Sequence, residues 1–139
     1  MAISILTDAM VIINGVTLSD HANEVTITDT RDKKDVTAFG ATNYAYAKGL
    51  GDGSIDIKMF QDFAGGKTYA TLQPLISSTS TVVIEIRPTS GSRSATNPAV
   101  LMSGLMVNFN FVMGKVGEPS MTDASFVNGA AAGITYVTS

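Results

Sequence analysis

Ser54-Ile55-Asp56-Ile57-Lys58-Met59-Phe60 places Ile55, Ile57 and Met59 on one side and Asp56 and Lys58 on the other. A period of two is what a strand with one buried and one wetted face requires, so this stretch predicts a β-strand. The same period recurs along the chain. Val25 and Ile27 alternate with Thr26 and Thr28, and Val82, Ile84 and Ile86 alternate with Val83, Glu85 and Arg87 before Pro88 ends the run. Between residues 100 and 112, Leu105, Val107, Phe109 and Phe111 share one face, read as the core face, and Met106, Asn108, Asn110 and Val112 share the other. Two final strands are expected at 121–127 and 134–138, joined through Asn128-Gly129 and a small-sided run, 130–133, that offers little to a core.

The punctuation between these runs sets the connections. Met10-Val11-Ile12-Ile13, Asn14-Gly15 and Val16-Thr17-Leu18 form the strongest short-range hairpin signal in the chain. The cluster Arg31-Asp32-Lys33-Lys34-Asp35 reads as a solvated connection, because consecutive charges are costly to desolvate, and a short β-like run follows at 36–39. Residues 40–53 hold four glycines and show no period, so they read as a long loop. Asp62 is placed to cap a helix over 63–72 that Pro74 prevents from continuing, with Gly65-Gly66 working against it. About seven to nine short strands and one helix predict a mainly β fold. It is read as sandwich- or barrel-like, two packed antiparallel sheets with one flanking α-helix, in a single domain over residues 1–139.

Charge is scarce. Charged residues are 15% of the chain against about 25% in ordinary soluble domains. A subunit buried among copies of itself tolerates such a surface better than a lone monomer, which favours a homo-oligomer. The net charge of −3 removes the electrostatic attraction that drives binding to phosphates, so direct nucleic-acid binding is not expected. No basic residue precedes Arg31, and the apolar run 9–13 is too short to span a bilayer. No membrane association is therefore expected, and synthesis in a cytoplasm is.

Catalytic constellations are missing. There is no cysteine, and His21 is the single histidine, read as an exposed loop residue, so neither a thiolate site nor a histidine metal cluster can form within one chain. Gly49-Leu50-Gly51-Asp52-Gly53 opens a strand where a dinucleotide fingerprint opens a helix, and Asp52-Gly53-Ser54-Ile55-Asp56 lacks the remaining ligands of a calcium loop. No catalytic residue, cofactor or metal is assigned, and the chain is read as a non-enzyme.

Asp35-Val36-Thr37-Ala38-Phe39-Gly40, then Tyr46-Ala47-Lys48-Gly49-Leu50-Gly51-Asp52-Gly53, then Phe60-Gln61-Asp62-Phe63 resembles the tail tube, or major tail, proteins of long-tailed bacteriophages. Arg87-Pro88, Thr96-Asn97-Pro98 and Gly114-Lys115-Val116-Gly117 are similar to later landmarks of that family. The resemblance implies a structural subunit of a virion tail, assembled in the host cytoplasm. It implies hexameric rings whose sheets join into an inner barrel, stacking into a tube alongside other tail proteins, with DNA passing through the lumen without specific binding.

Candidate interface residues are Tyr44, Tyr46 and Leu50 in the 40–53 segment, with Met106 and Val112 on the back of the 100–112 strand, where apolar side chains call for a cover. The alternatives are another self-assembling virion protein, such as a capsid decoration protein, and a small-ligand-binding β-barrel. Assembly of purified protein is expected to survive chelator and nuclease treatment unchanged; loss of ordered particles by electron microscopy under either treatment would contradict this composition-based reading.

Overall fold

In the computed structural model, which describes residues 5–139, eight antiparallel strands form one hydrogen-bonded sheet, seven of them in a single path. They are β1 Met10–Ile13, β2 Val16–Thr17, β3 Ala22–Asp35, β4 Tyr46–Phe60, β5 Val82–Arg87, β6 Ala99–Met113, β7 Met121–Asn128 and β8 Thr135–Val137. Their order is β2-β1-β5-β6-β7-β4-β3, with β8 also paired to β6. The mainly antiparallel β fold with a single short α-helix, α1 Thr68–Leu72, is the class read from the sequence. The predicted N-terminal hairpin is present: Asn14 and Gly15 both have positive φ (51° and 80°), the backbone of the two-residue turn whose twist matches its strands.

Strand β6 divides the path into two layers. Its first half, 100–104, pairs with β5; its second half, 104–113, pairs with β7. One apolar cluster lies between the layers, with Val11, Ile13, Ile84 and Ile86 from one side and Ile55, Ile57, Met59, Ala124 and Phe126 from the other. The expected alternation of β4 is met in full, since Ile55, Ile57 and Met59 are all completely buried.

A bulge in β6 reverses the face assignment made from its period. Met106 pairs with Phe126 on the core side, but the register shifts before Asn108, so that Asn108 faces Ser125 and Phe109 faces the buried Ala124. An extra residue in one strand moves the side chains after it to the other face until the register shifts again, which in β6 happens between Asn110 and Met113. Leu105 and Val107 therefore do not share the core face with Phe109. Phe109 packs against the core as expected, whereas Phe111, at the strand's end, is half exposed and meets Phe63 and Tyr69 instead.

Between β4 and β5 the helix is shorter than predicted. Gly66 takes φ +74°, which ends any helical path through the glycine pair, and α1 starts only at Thr68, running on as a 3-10 turn, Gln73–Leu75, that carries Pro74. Asp62 caps a turn and not the helix: its carboxylate accepts from Ala64 N at 2.9 Å, and its carbonyl accepts from Tyr69 N at 3.0 Å. The connection 88–98 is held by polar groups. The buried Asn97 side chain donates to the carbonyls of Gly91 (3.0 Å) and Ser92 (3.1 Å) and accepts from Thr89 N (3.0 Å), and Glu85 beside it pairs with Arg87 and Arg93. A buried amide is stable there because its bonding capacity is satisfied.

Phe126→Ala should cost about 3–5 kcal/mol, as expected for emptying a fully enclosed aromatic site, whereas Phe111→Ala should cost roughly 1 kcal/mol because half its surface is already in water. Chemical denaturation of both variants checks this; equal losses would place Phe111 in the core and refute its half-exposed position at the strand's end.

Candidate assembly interface

Strands β3 and β4 pair along almost their whole length, from Ala22↔Met59 to Asp35↔Tyr46, but β4 meets β7 only from Ser54 onward. The distal half of this hairpin is therefore a two-stranded ribbon that leaves the sheet. At about 3.3 Å per residue, Tyr46 to Gly53 projects roughly 23 Å, with the tip at 36–45 beyond that. The 40–53 segment read as a loop is thus mostly strand, and the charged cluster 31–35 is its partner strand and not a connection. The run 36–39 is not a strand; it belongs to the tip, where Val36 N donates to Ala45 O and the Thr37 hydroxyl accepts from Ala45 N.

Alternate glycines explain how an aperiodic stretch makes a strand. Gly51 and Gly53 extend the face that buries Ile55, Ile57 and Met59, where no core remains to fill, and Gly49 lies at an irregularity between Gly51 and Lys48. The Arg31 guanidinium lies across Gly51 and the Ile134 side chain across Gly53, each where a Cβ would collide. At the ribbon's base, Tyr136 donates to Asp29 at 2.9 Å and Arg31 pairs with Asp29 at 2.6 Å, which together hold the Asp29 carboxyl below its ordinary pKa, while the hydrogen bond to Asp29 raises that of Tyr136. Farther out, the Lys33 ammonium sits 4.5 Å from the centre of the Tyr46 ring, which stacks on Tyr44.

These local contacts leave the arm's apolar groups in water. Leu50 is 88% exposed, Tyr44 78% and Phe39 fully so. An isolated two-stranded ribbon is marginal by itself, and large side chains along it are the groups that a partner surface would cover. Tyr44, Tyr46 and Leu50 are brought together on this one element. Val112 is also exposed, but in β6, the other outer strand of the layer, and Val36 and Phe39, not singled out in the sequence, join the arm. Met106 is different: at 7% exposure it is covered by its own core, opposite Phe126, so its apolar character needs no second subunit.

A second feature is backbone. The layer β6-β7-β4-β3 ends on one side at β3, whose outer edge pairs with no other described strand. On the other side, β6 beyond Gly104 pairs only with β7. The β6 edge carries no charged residue from Leu105 to Met113. Long uncharged edges are templates for pairing with another chain, because their N–H and C=O groups have no intramolecular partner. The outer face of this layer is polar, with Thr26, Ser125, Asn108 and Asn110 around a shallow depression holding Glu24, Asp56 and Asp123 against one ammonium, Lys58.

His21 is not the free loop residue that its sequence context suggested. Its ring lies between Asp20 (2.8 Å to Nδ1) and Asp62 (2.8 Å to Nε2), with Lys67 bonded to Asp20, and so fastens the β2–β3 corner to the segment before α1. The hydrogen bond to Asp20 and then that to Asp62 raise its pKa above the ordinary 6.5, and the pKa values of both aspartates are lowered. Among the described residues, no group of three or more His, Cys, Asp or Glu is placed to hold a metal, and no helix is long and apolar enough to cross a membrane.

No family model matches the chain and no curated protein matches its sequence. Solved structures share its fold over nearly its full length. A chain in the virion of a native gene transfer agent (GTA) particle aligns with a TM-score of 0.71 and 12% identity, over 94% of this chain and 95% of that one. A chain in the tail of an empty GTA particle with C6 symmetry aligns at 0.65 and 11% identity, over 84% and 82%. The SPP1 tail tube aligns at 0.72 and 8% identity, over 95% and 77%. The likeness at these identities is one of fold.

The His21 bridge gives a signed pH dependence. A raised histidine pKa contributes stability that is fully present below about 6.5 and is lost as pH rises through the folded-state value. Thermal melts should therefore fall from pH 6 toward mildly alkaline pH, and His21→Gln should flatten that slope; an unchanged slope in the variant would show that the bridge is not its source.

Proposed function

We propose that this chain is a non-enzymatic structural subunit of a virion tail, forming rings that stack into a tube. The observation that carries the reading is the pair of unpaired edges on opposite sides of the β6-β7-β4-β3 layer. Two different edges on one molecule make a heterologous, head-to-tail contact, and repeating that contact by rotation closes a ring in which no edge is left. Each copy would contribute four strands to a continuous barrel. The shared fold with the SPP1 tail tube and with the C6 GTA tail supports this reading and favours six copies per ring.

The polar face of the layer then lines the channel, and the two-layer core lies outside it. Three carboxylates against one ammonium, itself paired with Glu24, among threonine, serine and asparagine side chains, make a wet surface that repels phosphate and offers no cluster of cations to hold it. DNA would pass through such a lumen without being bound. The arm projects along the strand direction, hence along the channel axis, and would lay Tyr44, Tyr46 and Leu50 against the neighbouring ring, while Val112 would lie at the joint between copies within a ring. Location in a virion tail, contact with other tail proteins and assembly in the host cytoplasm belong to the same proposal.

Electron microscopy of the purified protein at rising concentration tests the reading: open-ended tubes are expected, and closed shells or dispersed monomers would refute it. Leu50→Asp should stop stacking while leaving circular dichroism unchanged, since a charge would enter a desolvated contact on an element that the subunit's own core does not need. Val107→Lys places a charge on the exposed edge of β6 and should stop ring closure itself. Full-length tubes from either variant would remove that surface from the assembly.

A further inference from the structure

A groove of about 490 Å³ runs beside the start of the free β3 edge, lined by Leu6, Ala9, Val11, Ala22, Val25 and Phe60 among others. On the opposite edge of the same layer, at the end of the free β6 edge, Phe63, Tyr69 and Phe111 form an aromatic corner with ring centres 5.3–5.7 Å apart. Phe63 and Phe111 remain about half exposed. Each is an incomplete apolar surface, and the groove's polar rim carries Asp8 and Glu24.

Strand direction relates the two. In the antiparallel layer β6-β7-β4-β3, three reversals separate the outer strands, so β6 and β3 run in opposite directions. Rotation about an axis along the strands preserves direction, so β6 of one copy would meet β3 of the next antiparallel. Height is preserved as well. Val25, Ile57, Ala124 and Phe109 form a single row across the layer, and Phe111 lies one step toward the level of Ala22. Barrel tilt slides this row several residues along the strand without reversing it, so the row fixes the direction of the joint, and the two open apolar surfaces at this end of the layer, groove and corner, set its register. The end of β6 in one copy thus comes to the start of β3 in its neighbour, on the side of the layer where the groove opens. Lys115, which makes no ion pair among the described residues, follows β6 by two positions and would approach the acidic rim.

We propose that the groove beside β3 is the socket for the Phe63–Tyr69–Phe111 corner of the next copy in the ring, with the intervening strands joined antiparallel. The inference rests on the ring reading and deepens it by naming the orientation and the apolar lock of each joint. It also accounts for the half-exposed corner, since the corner packs fully only after closure.

The chain has no cysteine, so paired substitutions report the joint directly. Asn23, at the groove, and Phe111 lie on outer strands three strand spacings apart, roughly 14 Å within one copy and beyond disulfide reach, so any Asn23→Cys/Phe111→Cys bridge joins two copies. Oxidation of assembled protein should give a ladder of linked subunits ending at the ring, and Asn23→Cys/Leu105→Cys should give none. Met113→Cys replaces Phe111→Cys if that variant fails to fold by circular dichroism, with the same ladder expected. A ladder from the Leu105 pair alone would overturn the antiparallel joint. Tubes that form with no ladder from the Phe111 or Met113 pair would overturn the socket while leaving the tube reading intact. Absence of tubes from the unsubstituted chain would overturn that reading and the socket with it.

Discussion

Backbone amides have to be paired or wetted, and a long strand edge does neither fully once large side chains crowd it. The layer β6-β7-β4-β3 has two such edges, of opposite direction and different sequence. That difference matters because matched edges would pair two by two and stop. Unlike edges can repeat around an axis until the first copy meets the last. The low charge content, the uncharged β6 edge and the half-exposed aromatic corner would be intelligible as features of a subunit that assembles with copies of itself, as proposed.

In the proposed tube two kinds of contact would divide the work. Edge pairing is directional and would saturate when the ring closes, whereas the arm would engage through side chains carried on a ribbon that leaves the sheet. Because the arm's glycines take Arg31 and Ile134 across their open face, its base is seated on the subunit while its outer half keeps its apolar groups free. Damage to the arm should therefore be felt between rings and damage to β6 within them, two consequences that arise from one topology.

Much of the fold was legible because burial imposes a period of two on half-buried strands: β4, β5 and the Asn14-Gly15 hairpin could be read directly. The errors share a cause. A bulge at Val107 inserts one residue without altering the composition of β6, so an unbroken alternation assigned Leu105 and Phe109 to one face and left Met106 outside. The arm has no core face, so Gly49, Gly51 and Gly53 replaced the apolar residues that reveal a strand, and a ribbon read as a loop. Of the candidate interface residues, Tyr44, Tyr46 and Leu50 were singled out for their mismatch with a flexible loop, and they are just as exposed on a solvated ribbon. His21 was misjudged because its partner Asp62 lies forty-one residues away and only the chain's return along β4 brings them together.

The alternation of a stiff layer with a slender arm has a mechanical corollary. Hydrogen bonds that run around a ring resist widening, because expansion would stretch all of them together. Along the axis, continuity would pass through two-stranded ribbons with side-chain contacts at their outer ends, which can tilt and slide at much lower cost. An object built this way holds its bore under internal pressure yet bends along its length, as a reinforced hose does. The asymmetry would come from how one subunit distributes its strands, with no separate hinge.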